Sequence, residues 1–182
     1  MSGMSLPPAS PVTSVPAPPR WAVLAAHLTV LVVLPSGLWR ILWVLGLPAG
    51  YTDAGFAPFE TAGAKLWMLT LSVAGELVAL LTLGLVRPWG EVVPRWIPLI
   101  GGRRVRPLAA VVPAAVGAAV LTALWAVMPL WWTQPHEDMT ATGSVLVGIV
   151  YQPLVLWGPL TAAVTLSYHR RHRLAPHPAP AG

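Results

Sequence analysis

The sequence predicts an all-α integral membrane protein, an antiparallel four-helix bundle with both termini cytoplasmic. Three observations predict it. Of 182 residues, 55% are hydrophobic and only 9% are charged, whereas a soluble domain carries about 25% charged residues. Four apolar runs are each long enough to cross a hydrocarbon core, which takes about 20 helical residues. Nearly all basic residues fall on one side of those runs. Disorder, which needs low hydrophobicity, is excluded by a mean hydropathy of +0.67.

Residues 1–20 are rich in Pro and Ser and carry one Arg, which predicts a disordered cytoplasmic tail. A long, nearly uncharged leader before an extended apolar run argues for a retained anchor rather than a cleaved signal peptide. The spans then fall at about 21–47, 66–86, 108–132 and 145–168. The first contains His27 and Arg40, and the second has Glu76 as its only charge. The third and fourth contain no Asp, Glu, Lys or Arg. Residues 169–182 close the chain as a basic cytoplasmic tail.

Orientation follows from the Lys/Arg bias of the loops. Arg87, Arg95, Arg103, Arg104 and Arg106 lie between spans two and three, Arg170, Arg171 and Arg173 follow span four, and Arg20 precedes span one. The opposite side holds Lys65 among Asp53, Glu60, Glu137 and Asp138. This places both termini inside a bacterial inner membrane. Trp21, Trp39, Trp43, Trp67, Trp89, Trp131 and Trp132 sit near span ends, as interfacial rings do; Trp125 and Trp157 lie deeper and read as packing residues.

Several functions are excluded at this level. With no cysteine, there is no disulfide, thiolate metal site or thiol redox chemistry. The net charge of +5 does not point to nucleic acid, because the basic residues flank membrane spans and face anionic headgroups instead. The loop 87–106 is the clearest case. Its Val, Ile and Trp96 alternate with three prolines and are bracketed by arginines, so it reads as a segment lying among anionic lipid headgroups. No catalytic, cofactor or metal motif is present. His136, Glu137 and Asp138 are adjacent in sequence and cannot all converge on one ion, so they read as a solvated polar loop.

Ionisable residues inside a bilayer default to a functional hypothesis with a named partner. Glu76 falls near the midplane, Arg40 roughly 10 Å toward the outside and His27 roughly 10 Å toward the cytoplasm, at 1.5 Å per residue. Side chains tilt toward a helix N-terminus. Arg40 and Glu76 therefore lean toward each other, and Gln152 leans toward the level where they meet. The expected intramembrane cluster is Arg40, Glu76 and Gln152, with His27 a weaker candidate that leans away. The alternatives are an Arg40 that snorkels to phosphates, a protonated Glu76 bonded to a helix carbonyl, and a satisfied interfacial His27.

Pro35, Pro153 and Pro159 free the carbonyls of Leu31, Ile149 and Val155, a pattern that some transporters use to build midplane sites. Small residues at spacing four, Gly75/Ala79 in span two and Ala110/Ala114, Pro113/Gly117, Ala114/Ala118 and Ala115/Ala119 in span three, predict close helix packing and a homodimer face on span three.

The strings RPWG…PRW after span two and WGP…YHRR closing span four resemble small four-helix integral membrane proteins of unknown function from actinobacteria. The preference for Arg over Lys and the absence of Asn agree with a high-GC bacterial origin. The resemblance implies a lineage and carries no catalytic residues. The function expected from the sequence is that of a non-enzymatic multi-pass protein acting through contacts with itself or other membrane proteins. The alternative is a small proton-coupled transporter using Arg40, Glu76 and Gln152. No cofactor is expected.

Overall fold

The computed structural model describes residues 15–90, 102 and 105–174. The expectations for the start of the N-terminal tail, for most of the basic loop including Trp96, and for the last residues of the C-terminal tail lie outside the described residues. Within them the chain is helical, with a single isolated bridge between Tyr51 and Met139. The helices are α1 (Arg20–Val44), α2 (Asp53–Phe56), α3 (Ala62–Gly84), α4 (Pro107–Trp125), α5 (Ala141–Tyr151) and α6 (Trp157–Leu174). Four stretches are long and apolar enough to cross a membrane: Arg20–Val44, Ala62–Gly84, Pro107–Thr133 and Ala141–Leu174.

The helix starts are written in the sequence. Thr52, Thr61 and Thr140 cap α2, α3 and α5, each hydroxyl accepting from a backbone N–H three residues on (Gly55, Ala64 and Gly143, at 3.1, 3.2 and 3.0 Å). That satisfies one of the orphan donors of a first turn. α4 begins instead at Pro107, where a missing N–H costs nothing, and α1 follows an extended Pro19 at its N-cap.

The interior prolines act differently from one another. Pro35 sits within an unbroken α1. At Pro153 the α-helix gives way to a 3-10 turn, Gln152–Leu156, before α6 begins. Pro159 lies in the first turn of α6, where an N–H has no intrahelical partner to lose. The third stretch also tightens into a 3-10 turn, Met128–Thr133, containing Pro129.

α1 packs against α3 and α6, and α4 packs against α6. The central pair is the buried one: 39% of the apolar window is buried in each of the first and fourth stretches, against 17% in the second and 11% in the third. The pairings Arg40–Ser72, Gly37–Glu76 and His27–Arg87 descend along α1 as they ascend along α3 and past its end. Close approach relies on small residues, as it does between membrane helices. Ala79 is fully buried, Gly75 faces Trp157 and Val33, and Gly158 lies against Ala118 and Thr122. The close packing expected from the small residues of span three is found on one face of α4, where Ala118 and Thr122 lie against Gly158 of α6. Only Ala118 of α4 is buried, a Cβ on Gly117 would meet nothing within 4 Å, and α3 and α4 leave a crevice of about 450 Å³ between them. Alanine and glycine permit approach but do not specify which neighbour arrives.

One arginine of the C-terminal tail is structural. Arg171 is buried and donates to the carbonyls of Leu85, at 2.7 Å, and Pro16, at 3.2 Å. The Leu85 carbonyl belongs to the last turn of α3, where the helix dipole favours a cation. Arg171→Gln is expected to cost about 2 kcal/mol, the scale of a buried hydrogen bond to a charged group. Thermal unfolding in detergent reads it, with the exposed Arg170→Gln as a silent control.

Candidate ligand site beneath the cap

At the end of the molecule away from the termini, two loops are pinned together. Thr52 N–H donates to the Asp138 carbonyl at 2.9 Å and Thr140 N–H to the Gly50 carbonyl at 3.0 Å, with both Thr hydroxyls reaching the same oxygens. Gly50 has φ +107° and its backbone lies against that of Gly143, leaving no room for a Cβ on Gly143 and only a tight fit for one on Gly50. The cap formed in this way roofs a cavity of about 390 Å³ whose walls include Arg40, Trp43, Tyr51, Trp125, His136 and Tyr151.

Arg40 is the cation of this cavity, and its neighbours differ from those expected. Its Nε donates to Ser72 Oγ at 3.1 Å, its Nη2 lies 3.5 Å from Ser36 Oγ, and its Cζ stands 5.7 Å from the Tyr151 ring centroid. Both serines spend their own protons on helix carbonyls, Ser72 on Met68 and Ser36 on Val33. They therefore offer lone pairs to Arg40 and position the guanidinium without neutralising it. Among the described residues no carboxylate pairs with Arg40.

Arg40, Glu76 and Gln152, the expected cluster, make no direct hydrogen bonds to one another among the described residues, although Arg40 and Glu76 stay within electrostatic reach. Glu76 packs on Gly37, and its Oε1 is buried without a hydrogen-bond partner among the described residues. It lines a separate groove of about 230 Å³ along the α1–α3 seam. Gln152 accepts instead from Trp132 Nε1 at 3.0 Å, because the turn at Pro153 places it on the Trp132 side. His27 forms a local clasp. Its Nδ1 lies 2.7 Å from the Val23 carbonyl and its Nε2 lies 3.4 Å from Arg87 Nη2. A neutral ring that donates from Nδ1 and accepts at Nε2 satisfies both contacts.

The aromatic walls were not anticipated as a site. Trp43 stands edge-on to Tyr51 at 5.4 Å and stacks with Phe59 and Tyr151 at 6.0 and 6.4 Å, while Trp125 lies 6.2 Å from Tyr151. The Nε1 donors of Trp43 and Trp125 are buried and unpartnered among the described residues. Buried indoles ordinarily find an acceptor. In the loop 136–138, Glu137 and Asp138 are exposed, as a solvated polar loop requires, and His136 alone departs from that reading. His136 is half-buried, stacks on Trp131 at 3.7 Å, and its Nε2 lies 3.1 Å from the Trp131 carbonyl. The Asp138 backbone pins the cap. The signal was the WW…H spacing, which periodicity does not reveal.

Tyr51 lies outside the spanning stretches, and its pKa is pushed up to about 12, first by burial and then by the Asp138 carboxylate and Tyr151. It therefore remains a neutral donor at any physiological pH. Because the folded value exceeds the ordinary 10.0, the contribution of Tyr51 to stability is complete below about pH 10 and is lost as the pH rises toward 12. The melting temperature of Tyr51→Phe is expected to fall less steeply than that of the parent over that interval.

In chemical terms, the cavity combines the Arg40 guanidinium, the Asp138 carboxylate and flat aromatic walls, with Glu76 within electrostatic reach of Arg40, an arrangement suited to a planar apolar body whose anionic group meets Arg40. Among the described residues no group of three or more His, Asp or Glu side chains converges. Comparison with known protein families, with curated proteins and with solved structures finds no match, so the resemblance carried by the RPWG and WGP strings rests on those strings alone.

Proposed function

We propose that the chain crosses the bacterial inner membrane four times as an antiparallel bundle with both termini cytoplasmic, and that it is a small carrier for an aromatic carboxylate. The observation that carries this reading is Arg40, held by two serines beside the capped cavity with no carboxylate paired to it among the described residues. Arg40 is half-buried, and a bound carboxylate would give it a charge-assisted, bidentate contact. The arginine bias of the loops orients the cavity outward. A volume of about 390 Å³ falls in the range of small-molecule sites. Glu76, one helical turn beyond Ser72 on α3, is the candidate proton group of a coupled cycle.

The test is a fluorescence titration of the full chain in nanodiscs, reading Trp43 and Trp125, with benzoate as ligand and benzamide as its neutral counterpart. Saturable quenching by benzoate alone supports the reading; equal response to both, or to neither, overturns it. A second reading is association through helix contacts with a second copy or another membrane protein. It is favoured by α4, whose window is 11% buried, and cross-linking of the chain in nanodiscs distinguishes it.

A further inference from the structure

The crevice between α3 and α4 lies on the termini side, away from the Arg40 cavity. It holds about 450 Å³, and its walls include Thr82, Trp89, Ala110, Ala114, Gly117 and Thr161. Its lining is nearly all apolar, yet two of its residues are threonines more than nine-tenths buried, at 4% and 6% exposure. Threonines within helices usually return their hydroxyl to the carbonyl four residues back, and Thr29, Thr70, Thr122 and Thr165 do so at 2.7–2.9 Å. Thr82 and Thr161 do not. Thr161 Oγ1 is buried with no partner, and Thr82 makes no side-chain hydrogen bond among the described residues. An unmatched buried hydroxyl costs free energy, as at Thr161, and both Thr161 and Thr82 line this crevice.

In the chain, Arg87 lies between the lining residues Leu85 and Trp89, with its Nη2 3.4 Å from His27 Nε2, and Arg106 lies one turn before the lining residue Ala110. Arg87 follows α3 and Arg106 caps the start of α4. Both are exposed, and neither forms an ion pair among the described residues. Cations flanking an apolar slot that holds hydroxyl donors match one molecule of the bilayer: phosphate outside, ester carbonyls below it, acyl chain within. We propose that the α3–α4 crevice is a binding site for one anionic phospholipid, with its phosphate between Arg87 and Arg106, an ester carbonyl accepting from Thr82 or Thr161, and an acyl chain occupying the apolar slot. The site is independent of the carrier reading.

Native mass spectrometry of the full chain, released from vesicles of equal phosphatidylglycerol and phosphatidylcholine, tests this. One retained phosphatidylglycerol per chain is expected. The double substitution Arg87→Gln, Arg106→Gln changes two exposed side chains, removing the Arg87–His27 contact as well, and it should lower retention about 30-fold, since each surface arginine contributes about a factor of five to anionic-lipid binding. Ala114→Phe fills the slot and should abolish retention while leaving both arginines in place. The isosteric pair Thr82→Val, Thr161→Val should weaken retention while preserving the helical circular dichroism of the parent. Equal retention of phosphatidylcholine, undiminished retention in Ala114→Phe, or occupation of the slot by a second copy of the chain would each overturn the proposal.

Discussion

Gly143→Val is expected to destabilise the protein by about 3 kcal/mol, the upper end of the cost of forcing extra volume into a packed site. A Cβ at that position would run into the Gly50 carbonyl, and backbone cannot rotate away as a side chain can. Gly50 itself cannot move cheaply, because its φ of +107° is a conformation that L-residues rarely adopt. The predicted damage is local to the cap. Thr140 should lose its bond to Gly50, and benzoate quenching should fall together with the melting temperature. Gly63→Ala, at a site where a Cβ meets nothing within 4 Å, should be neutral or slightly stabilising on helix propensity.

Arg40→Gln should behave in the opposite way. It removes the charge of the cavity but no ion pair seen among the described residues, so thermal stability should stay constant or rise. Benzoate affinity, in contrast, should drop roughly 10- to 100-fold, the value of a charge-assisted hydrogen bond in a buried site. Arg40→Lys restores charge without the fork that reaches Ser72 and the ligand together, and should recover only part of the affinity. A loss of affinity without a loss of stability separates a binding arginine from a structural one. Arg171, bonded to two carbonyls, should lose stability instead.

The sequence makes the four apolar stretches plain, because hydrophobic length is a local property. The stretches Arg20–Val44 and Ala62–Gly84 fall within a few residues of the runs read from composition. Much of the packing was not legible. Which helices touch depends on how side chains mesh across space, and repeated alanines in α4 offer the same face to any neighbour. The polar cluster illustrates the limit. Tilt suggests that Arg40 and Glu76 reach a common level, but on facing sides of α1 and α3 Arg40 meets Ser72 while Glu76 meets Gly37, an offset of about one helical turn. Ser72, one turn before Glu76, takes the guanidinium. Gln152 was displaced by a change of helix type at Pro153 that shifts its direction. The cap and its aromatic cavity come from residues 50 and 140 meeting across the chain, a pairing no local pattern announces.

The absence of native cysteine permits a direct test of the central claim, that an outward-opening cavity is poised by Arg40 for an anion. Met68, whose carbonyl accepts from Ser72, lines this cavity and is half-buried. A single Met68→Cys substitution in intact cells is exposed to impermeant thiosulfonates of opposite charge and equal size. The account predicts that the anionic reagent reacts about tenfold faster than the cationic one, a difference of about 1.4 kcal/mol, and that Arg40→Gln removes the preference. Failure of either reagent to reach Cys from outside, or a rate independent of reagent charge, would contradict it.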